Sequence, residues 1–131
     1  MRNPPLLLMA DDDKDFLEVL MTKFKASGFE IVSAQDGIEA VEKAKETKPD
    51  LILLDVKMPR LDGIGALLKI REDTFLKDTP VIILTAFGDP QKEIYENDKR
   101  FAQELGAHEY LLKTQDLEDI VARVKASLAN Q

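Results

Sequence analysis

Five short apolar runs set the rhythm of this 131-residue chain, each followed by a longer segment whose apolar residues recur every third or fourth position. The runs fall at residues 5–10, 29–34, 50–55, 80–85 and 109–112. Leu51-Ile52-Leu53-Leu54 and Val81-Ile82-Ile83-Leu84 are apolar without alternation, the pattern of strands buried on both faces of a parallel sheet. Between the runs, the spacing predicts helices. The first covers residues 14–27, with Phe16, Leu17, Leu20 and Phe24 on one face, and stops at Gly28. The second starts at Asp36, with Glu39 three residues on as a capping partner, and buries Ile38, Val41 and Ala44. The third follows Gly63 and buries Ile64, Leu67 and Leu68. The fourth opens with Asp89-Pro90, a cap followed by proline at the first helical position, and ends near Gly106. The fifth starts near Asp116 and packs Leu117, Ile120, Val121, Val124 and Leu128.

Strand and helix in fivefold alternation predict an α/β fold: a doubly wound five-stranded parallel sheet with helices on both faces. Right-handed crossovers leave few strand orders, and the flavodoxin-like order 2-1-3-4-5 is the one expected. In such sheets ligands bind beyond the carboxyl ends of the strands, where the order reverses between strands 1 and 3. No repeat, low-complexity stretch or linker interrupts the pattern, so residues 1–131 read as one domain.

At those two strand ends the apolar runs stop on carboxylates. Leu6-Leu7-Leu8-Met9-Ala10 leads into Asp11-Asp12-Asp13, and Leu51-Ile52-Leu53-Leu54 into Asp55. A carboxylate at the mouth of a buried strand is costly unless something cationic or reactive needs it there. At ~4 Å and an effective dielectric of ~20, each charged pair repels by roughly 4 kcal/mol. A bound divalent cation relieves that repulsion, and all-oxygen ligands suit Mg²⁺ or Mn²⁺. Calcium fits less well, because the acids lack the spacing of an EF-hand loop. Thr85 and Lys113 close the fourth and fifth runs and fall on the same rim. A hydroxyl and an ammonium disperse the charge of a phosphoryl group in transfer. The pattern therefore predicts a metal-dependent phosphoryl site with Asp55 as nucleophile, forming an aspartyl phosphate. Taken singly, each residue has an ordinary explanation as a helix cap, a strand end or a surface ion pair. Their coincidence on one rim carries the inference.

Charge and composition narrow the partners. The net charge of −7, without a basic stripe, argues against direct nucleic-acid binding. There is no cysteine, hence no disulfide and no thiolate metal site. Apolar runs of five or six residues are too short to span a membrane, and the N-terminus lacks a signal-peptide pattern. The expected location is cytoplasmic.

The segments LLLMADDD, LILLDVKMPRLDG, VIILTA and GAHEYLLK resemble the receiver domain of two-component response regulators over nearly the whole chain. The resemblance implies that Asp55 is the phosphoacceptor, Asp12 a direct metal ligand and Asp11 a ligand largely through water. It implies a further ligand in the backbone carbonyl of Lys57. Thr85 and Lys113 would bind phosphoryl oxygens, and Tyr110 would be the switch aromatic that turns inward as the Thr85 hydroxyl moves. The implied donor is a phosphohistidine on a histidine kinase or a histidine phosphotransfer protein. The chain's single histidine, His108, reads as an exposed loop residue rather than a phosphorylation site. The implied activity is self-catalysed phosphoryl transfer and autodephosphorylation, not turnover of an external substrate. Phosphorylation would shift a conformational equilibrium and alter the face of the fourth helix, fifth strand and fifth helix, where a protein target binds.

The chain departs from the family pattern at three places. Thr114 follows Lys113 where the family usually has proline after a cis bond, so a trans bond and a less rigidly aimed Lys113 are expected. The segment from Thr85 to Lys113 is longer than usual and rich in polar residues from Gln91 to Arg100, with Ile94 and Tyr95 among them. It predicts an extended or irregular fourth helix. Phe87 and Lys57 flank the phosphoryl position, which suggests shielding from water and a long-lived phosphorylated state.

Rival readings are a flavin-binding protein, a Mg²⁺-dependent phosphatase with an Asp nucleophile, and a degenerate scaffold receiver. The acids at 11–13 repel a flavin phosphate, and Lys57 stands where such a phosphatase needs a general acid. A stand-alone signalling protein, a relay receiver and the receiver of a larger regulator or hybrid kinase are all consistent with these residues.

Overall fold

The computed structural model describes residues 2–86 and 93–130, without the side chains of 93–96. Five strands, β1 (Leu6–Ala10), β2 (Glu30–Ala34), β3 (Leu51–Asp55), β4 (Val81–Thr85) and β5 (Glu109–Leu112), form one sheet in the order β2-β1-β3-β4-β5. Every pairing is parallel. The strands end where the apolar pattern predicts, but the first four start one residue later. Pro5 and Pro80 have no amide to donate and join the sheet only through their carbonyls, which accept from Glu30 and Ile52 at 3.0 and 2.9 Å. Asp50 turns its carboxylate onto the Leu6 amide at 2.8 Å instead of extending β3.

Alternation along the strands divides the core into two layers. Leu8, Ala10, Ile52, Leu54, Val81 and Ile83 face α2 (Gly37–Thr47), α3 (Gly63–Glu72) and α4 (Glu93–Glu104). Leu7, Met9, Leu51, Leu53, Ile82 and Leu84 face α1 (Lys14–Ala26) and α5 (Leu117–Ala129). β3 and β4 are buried along their whole length, which explains their unbroken apolar runs.

The helix signals operate as local chemistry. The Asp13 carboxylate accepts from the Phe16 amide at 3.1 Å and caps α1. Gly28 follows its C-terminal end with φ 95, a conformation other residues adopt only under strain. At α2, Asp36 accepts from the Glu39 amide at 2.8 Å while Glu39 accepts from Gln35 at 2.9 Å, closing the cap from both sides. The other end of α2 is tied down by Arg2, whose guanidinium donates to the carbonyls of Thr47 and Lys48.

One sequence expectation needs correction. Leu68 is 42% exposed; the buried stripe of α3 is Gly63, Ala66, Leu67 and Ile70, and Leu68 lies one position off it. The fourth helix, expected to be extended or irregular, covers Glu93–Glu104 among the described residues. Ala102 is fully buried and packs into the same layer as α2 and α3. Its expected start at Asp89-Pro90 lies outside the described residues, as do Phe87, Gln91 and the side chains of Ile94 and Tyr95. His108 occupies an exposed bend before β5, its amide donating to Val81 at 2.7 Å.

Pro5, Phe29, Leu128 and Ala129 line one shallow depression where β1 and β2 begin. Both ends of the described chain therefore meet at the rim opposite the carboxyl ends of the strands. Among the described residues, no helix is long and apolar enough to cross a membrane.

Candidate functional site

The strand register sets four polar residues along one rim. Asp11 directly follows β1, Asp55 and Thr85 are the last residues of β3 and β4, and Lys113 directly follows β5. Asp11, Asp55 and Thr85 are 3%, 6% and 1% exposed, whereas Asp12 is open to solvent. One carboxylate oxygen from each of Asp11, Asp12 and Asp55 lies within 4.8 Å of the others. The Lys113 ammonium bridges two of them, with Nζ 2.6 Å from Asp11 Oδ2 and 3.3 Å from Asp55 Oδ2. Asp11 Oδ1 accepts from the Asp13 amide at 2.9 Å, so both of its oxygens are engaged.

Backbone contacts aim these groups. The Lys113 amide donates to the Thr85 carbonyl at 2.9 Å, joining the ends of β4 and β5. Beyond it, Gln115 closes a turn, its amide donating to the Leu112 carbonyl and its side chain accepting from the Leu112 amide, both at 3.2 Å. The one cis bond among the described residues is Asn3–Pro4, so Lys113–Thr114 is trans. The turn is set without a cis bond, yet the lysine head is held by two carboxylates.

The loop after β3 carries Lys57, which is exposed, and is anchored at both ends. The Gly63 amide donates to the Val56 carbonyl at 2.8 Å. Arg60 reaches across to Asp36 at the start of α2, with Nε to Oδ2 at 3.0 Å and Nη2 to Oδ1 at 3.1 Å. The Glu39 amide and then Arg60 hold the Asp36 carboxyl below the usual carboxylate range. Tyr110 is buried and lines a small cavity with Val56, Ile64, Asp98 and Phe101.

Three carboxylates against one ammonium leave the pocket net negative. The donor set is wholly hard oxygen, with an open side at Asp12 where water can complete a coordination shell. Such a set fits a small divalent cation.

A model of the response regulator receiver domain family matches residues 7–125. The chain belongs to this family. The receiver domain is 41% identical over 124 residues to the transcriptional regulatory protein PrrA of Mycobacterium leprae, a match covering 95% of this chain and 50% of PrrA. It is 38% identical to the alkaline phosphatase synthesis transcriptional regulatory protein PhoP of Bacillus subtilis, covering 93% of this chain and 48% of PhoP. The chain thus spans about half the length of these curated relatives. Among solved structures, the receiver domain of Francisella response regulator 1452 superposes with a TM-score of 0.85 at 32% identity, covering 96% of this chain and 98% of that one.

In this receiver domain the pocket perturbs Asp55 and Lys113. Burial, followed by the Asp11 charge, pushes the Asp55 carboxyl up to about 6, against the pull of Lys113. Burial opposes charge on Lys113 as well, but Asp11 and then Asp55 outweigh it and hold the ammonium above its ordinary range. A raised carboxyl binds more protons folded than unfolded, so it lowers stability as pH rises from about 4 to about 6. Asp55→Asn is therefore expected to stabilise the protein at pH 7, with divalent ions chelated, by about 1–2 kcal/mol after allowance for solvent screening. The gain disappears towards pH ~4. Urea titrations at the two pH values measure it; equal stability of variant and wild type at neutral pH contradicts the assignment.

Sequence reasoning placed Phe16 only on the core face of its helix. Its ring also lies under the Lys113 ammonium, with Nζ 4.7 Å from the ring centroid. The Arg60–Asp36 clamp also went unforeseen. Neither contact has a sequence signal, because each joins residues brought together only by the fold.

Proposed function

We propose that this receiver domain accepts a phosphoryl group from a phosphohistidine donor onto Asp55 and so changes which partners it binds. The observation that carries the reading is the Asp11–Asp12–Asp55 cluster, with Lys113 reaching into it from the neighbouring strand end. An Asp55 carboxylate oxygen attacks the phosphorus, the P–N bond breaks as the P–O bond forms, and the donor imidazole leaves with the bonding pair and takes up a proton. Lys113 and the Thr85 hydroxyl take the phosphoryl oxygens, while Asp11 keeps the ammonium within the pocket. Mg²⁺, held by Asp11, Asp12, Asp55 and the Lys57 carbonyl, would supply counter-charge to the anionic donor. Catalysis is confined to the domain's own phosphorylation and dephosphorylation, and the site of action is cytoplasmic.

Phosphorylation replaces one negative charge by roughly two and adds acceptor oxygens. Thr85 shares its strand end with the Lys113 amide, and Tyr110 is on the next strand. The altered surface is accordingly that of α4, β5 and α5. The half-length match to PrrA and PhoP favours a receiver that controls an attached output module. Any nucleic-acid contact would then belong to that module, since this chain carries a net charge of −7.

Acetyl phosphate with MgCl₂ is expected to add one phosphoryl group to the intact chain. Asp55→Ala abolishes the addition, and so does chelation of the metal. Intact-mass measurement decides it: no mass increase in the wild type, or an equal increase in Asp55→Ala, overturns the reading.

A further inference from the structure

We propose that Phe16 is a positioning residue for phosphoryl transfer, its ring holding the Lys113 ammonium over the acidic pocket. The inference rests on the reading of Lys113 given above and adds a residue that the acidic cluster does not require.

Lys113 has a fixed backbone and a flexible head. Its amide is held by Thr85 and the following turn by Gln115, but four methylene carbons separate those anchors from the charge. Two carboxylates take the ammonium from the pocket side, Asp11 at 2.6 Å and Asp55 at 3.3 Å. The Phe16 ring is a third neighbour, 4.7 Å from Nζ, within the range in which an aromatic face attracts a cation. The ring itself is placed by α1. The Phe16 amide is bonded to the Asp13 cap at 3.1 Å, and the side chain packs on the layer that includes Leu17, Leu20 and Ile120.

What the ring prevents follows from its surroundings. Asp13 and Asp15 are exposed acids on the same stretch as Phe16, each a competing partner for a mobile lysine. A hydrocarbon face beside the ammonium offers it no hydrogen-bond acceptor on that side and so favours the two pocket carboxylates. An aliphatic side chain would fill similar space but lacks the negative π face. The aromatic character of residue 16 is therefore the testable part.

The experiment compares wild type, Phe16→Leu and Phe16→Tyr. The first readout is NMR of the Lys113 side chain, assigned by its loss in Lys113→Arg. The protons beside Nζ are shifted upfield in wild type and in Phe16→Tyr, and return towards ordinary lysine positions in Phe16→Leu. The second is the rate of phosphorylation by acetyl phosphate at saturating Mg²⁺, with folding checked by urea titration. Phe16→Leu is expected to slow it about three- to tenfold, and Phe16→Tyr to remain within about twofold of wild type. A wild-type rate in Phe16→Leu, or an equal loss in Phe16→Tyr, overturns the proposal. If wild type itself takes up no phosphoryl group, the proposed function fails instead; the NMR comparison then still decides whether the ring holds the ammonium.

Discussion

Gly63→Ala is expected to destabilise the domain by about 3 kcal/mol or more and to take the acidic pocket apart with it. A Cβ at this position would stand 2.1 Å from the carbonyl oxygen of Asp55, 2.9 Å from its carbon and 3.1 Å from the Val56 Cα. All three are backbone atoms, so no rotamer change relieves the overlap. Either α3 lifts away, losing the Gly63–Val56 hydrogen bond and the packing of Ala66, Leu67 and Ile70, or the end of β3 shifts and carries Asp55 off its line with Lys113. Gly28→Ala is the control: its φ of 95 imposes strain, but nothing lies within 4 Å of the added carbon. A cost nearer 1 kcal/mol is expected there, with phosphorylation retained. Urea midpoints and phosphoryl uptake separate the two. Similar behaviour of both variants would show that proximity of α3 to the Asp55 carbonyl is not the constraint.

Lys113→Met should cost about 2–3 kcal/mol at neutral pH, below the usual loss for breaking a fully buried pair because Asp12 leaves the pocket open to water. The methionine keeps the hydrocarbon packing and removes only the charge, leaving Asp11 and Asp55 buried together without a cation. The Asp55 carboxyl, already raised, then loses the pull of Lys113 and rises further, so the folded state binds more protons than the unfolded chain and the deficit grows as pH rises above about 4. Two conditions restore stability: acid, which neutralises Asp55, and millimolar divalent cation, which replaces the missing charge. Denaturant titrations at pH 5 and pH 7.5, with chelator and with MgCl₂, distinguish this electrostatic loss from a packing defect. A deficit independent of both pH and metal would identify packing as the cause and sink the argument.

The pattern of the chain displays the fold well because most of its signals are local or periodic. Unbroken apolar runs at β3 and β4 reflect burial on both faces, and Asp36, three residues before Glu39, caps the helix that follows it. The rim of Asp11, Asp55, Thr85 and Lys113 was legible for a related reason: in a parallel sheet, position at a strand's carboxyl end is also position in space. What the pattern could not display was contact between elements. Leu68 fits an apolar stripe on α3 until Gly63 and Ala66 are seen to occupy the close approach. Phe16 reads as core until Lys113 arrives from a segment nearly a hundred residues away. Gly63 reads as a loop glycine; only the passage of β3 beside it explains why a methyl group does not fit.

The depression formed by Pro5, Phe29, Leu128 and Ala129 has a practical corollary. Anything fused to either terminus emerges on the far pole of the molecule, away from the mouth through which a donor would have to approach. Affinity handles, fluorophores or surface tethers can therefore be attached at both extremities without occluding Asp55.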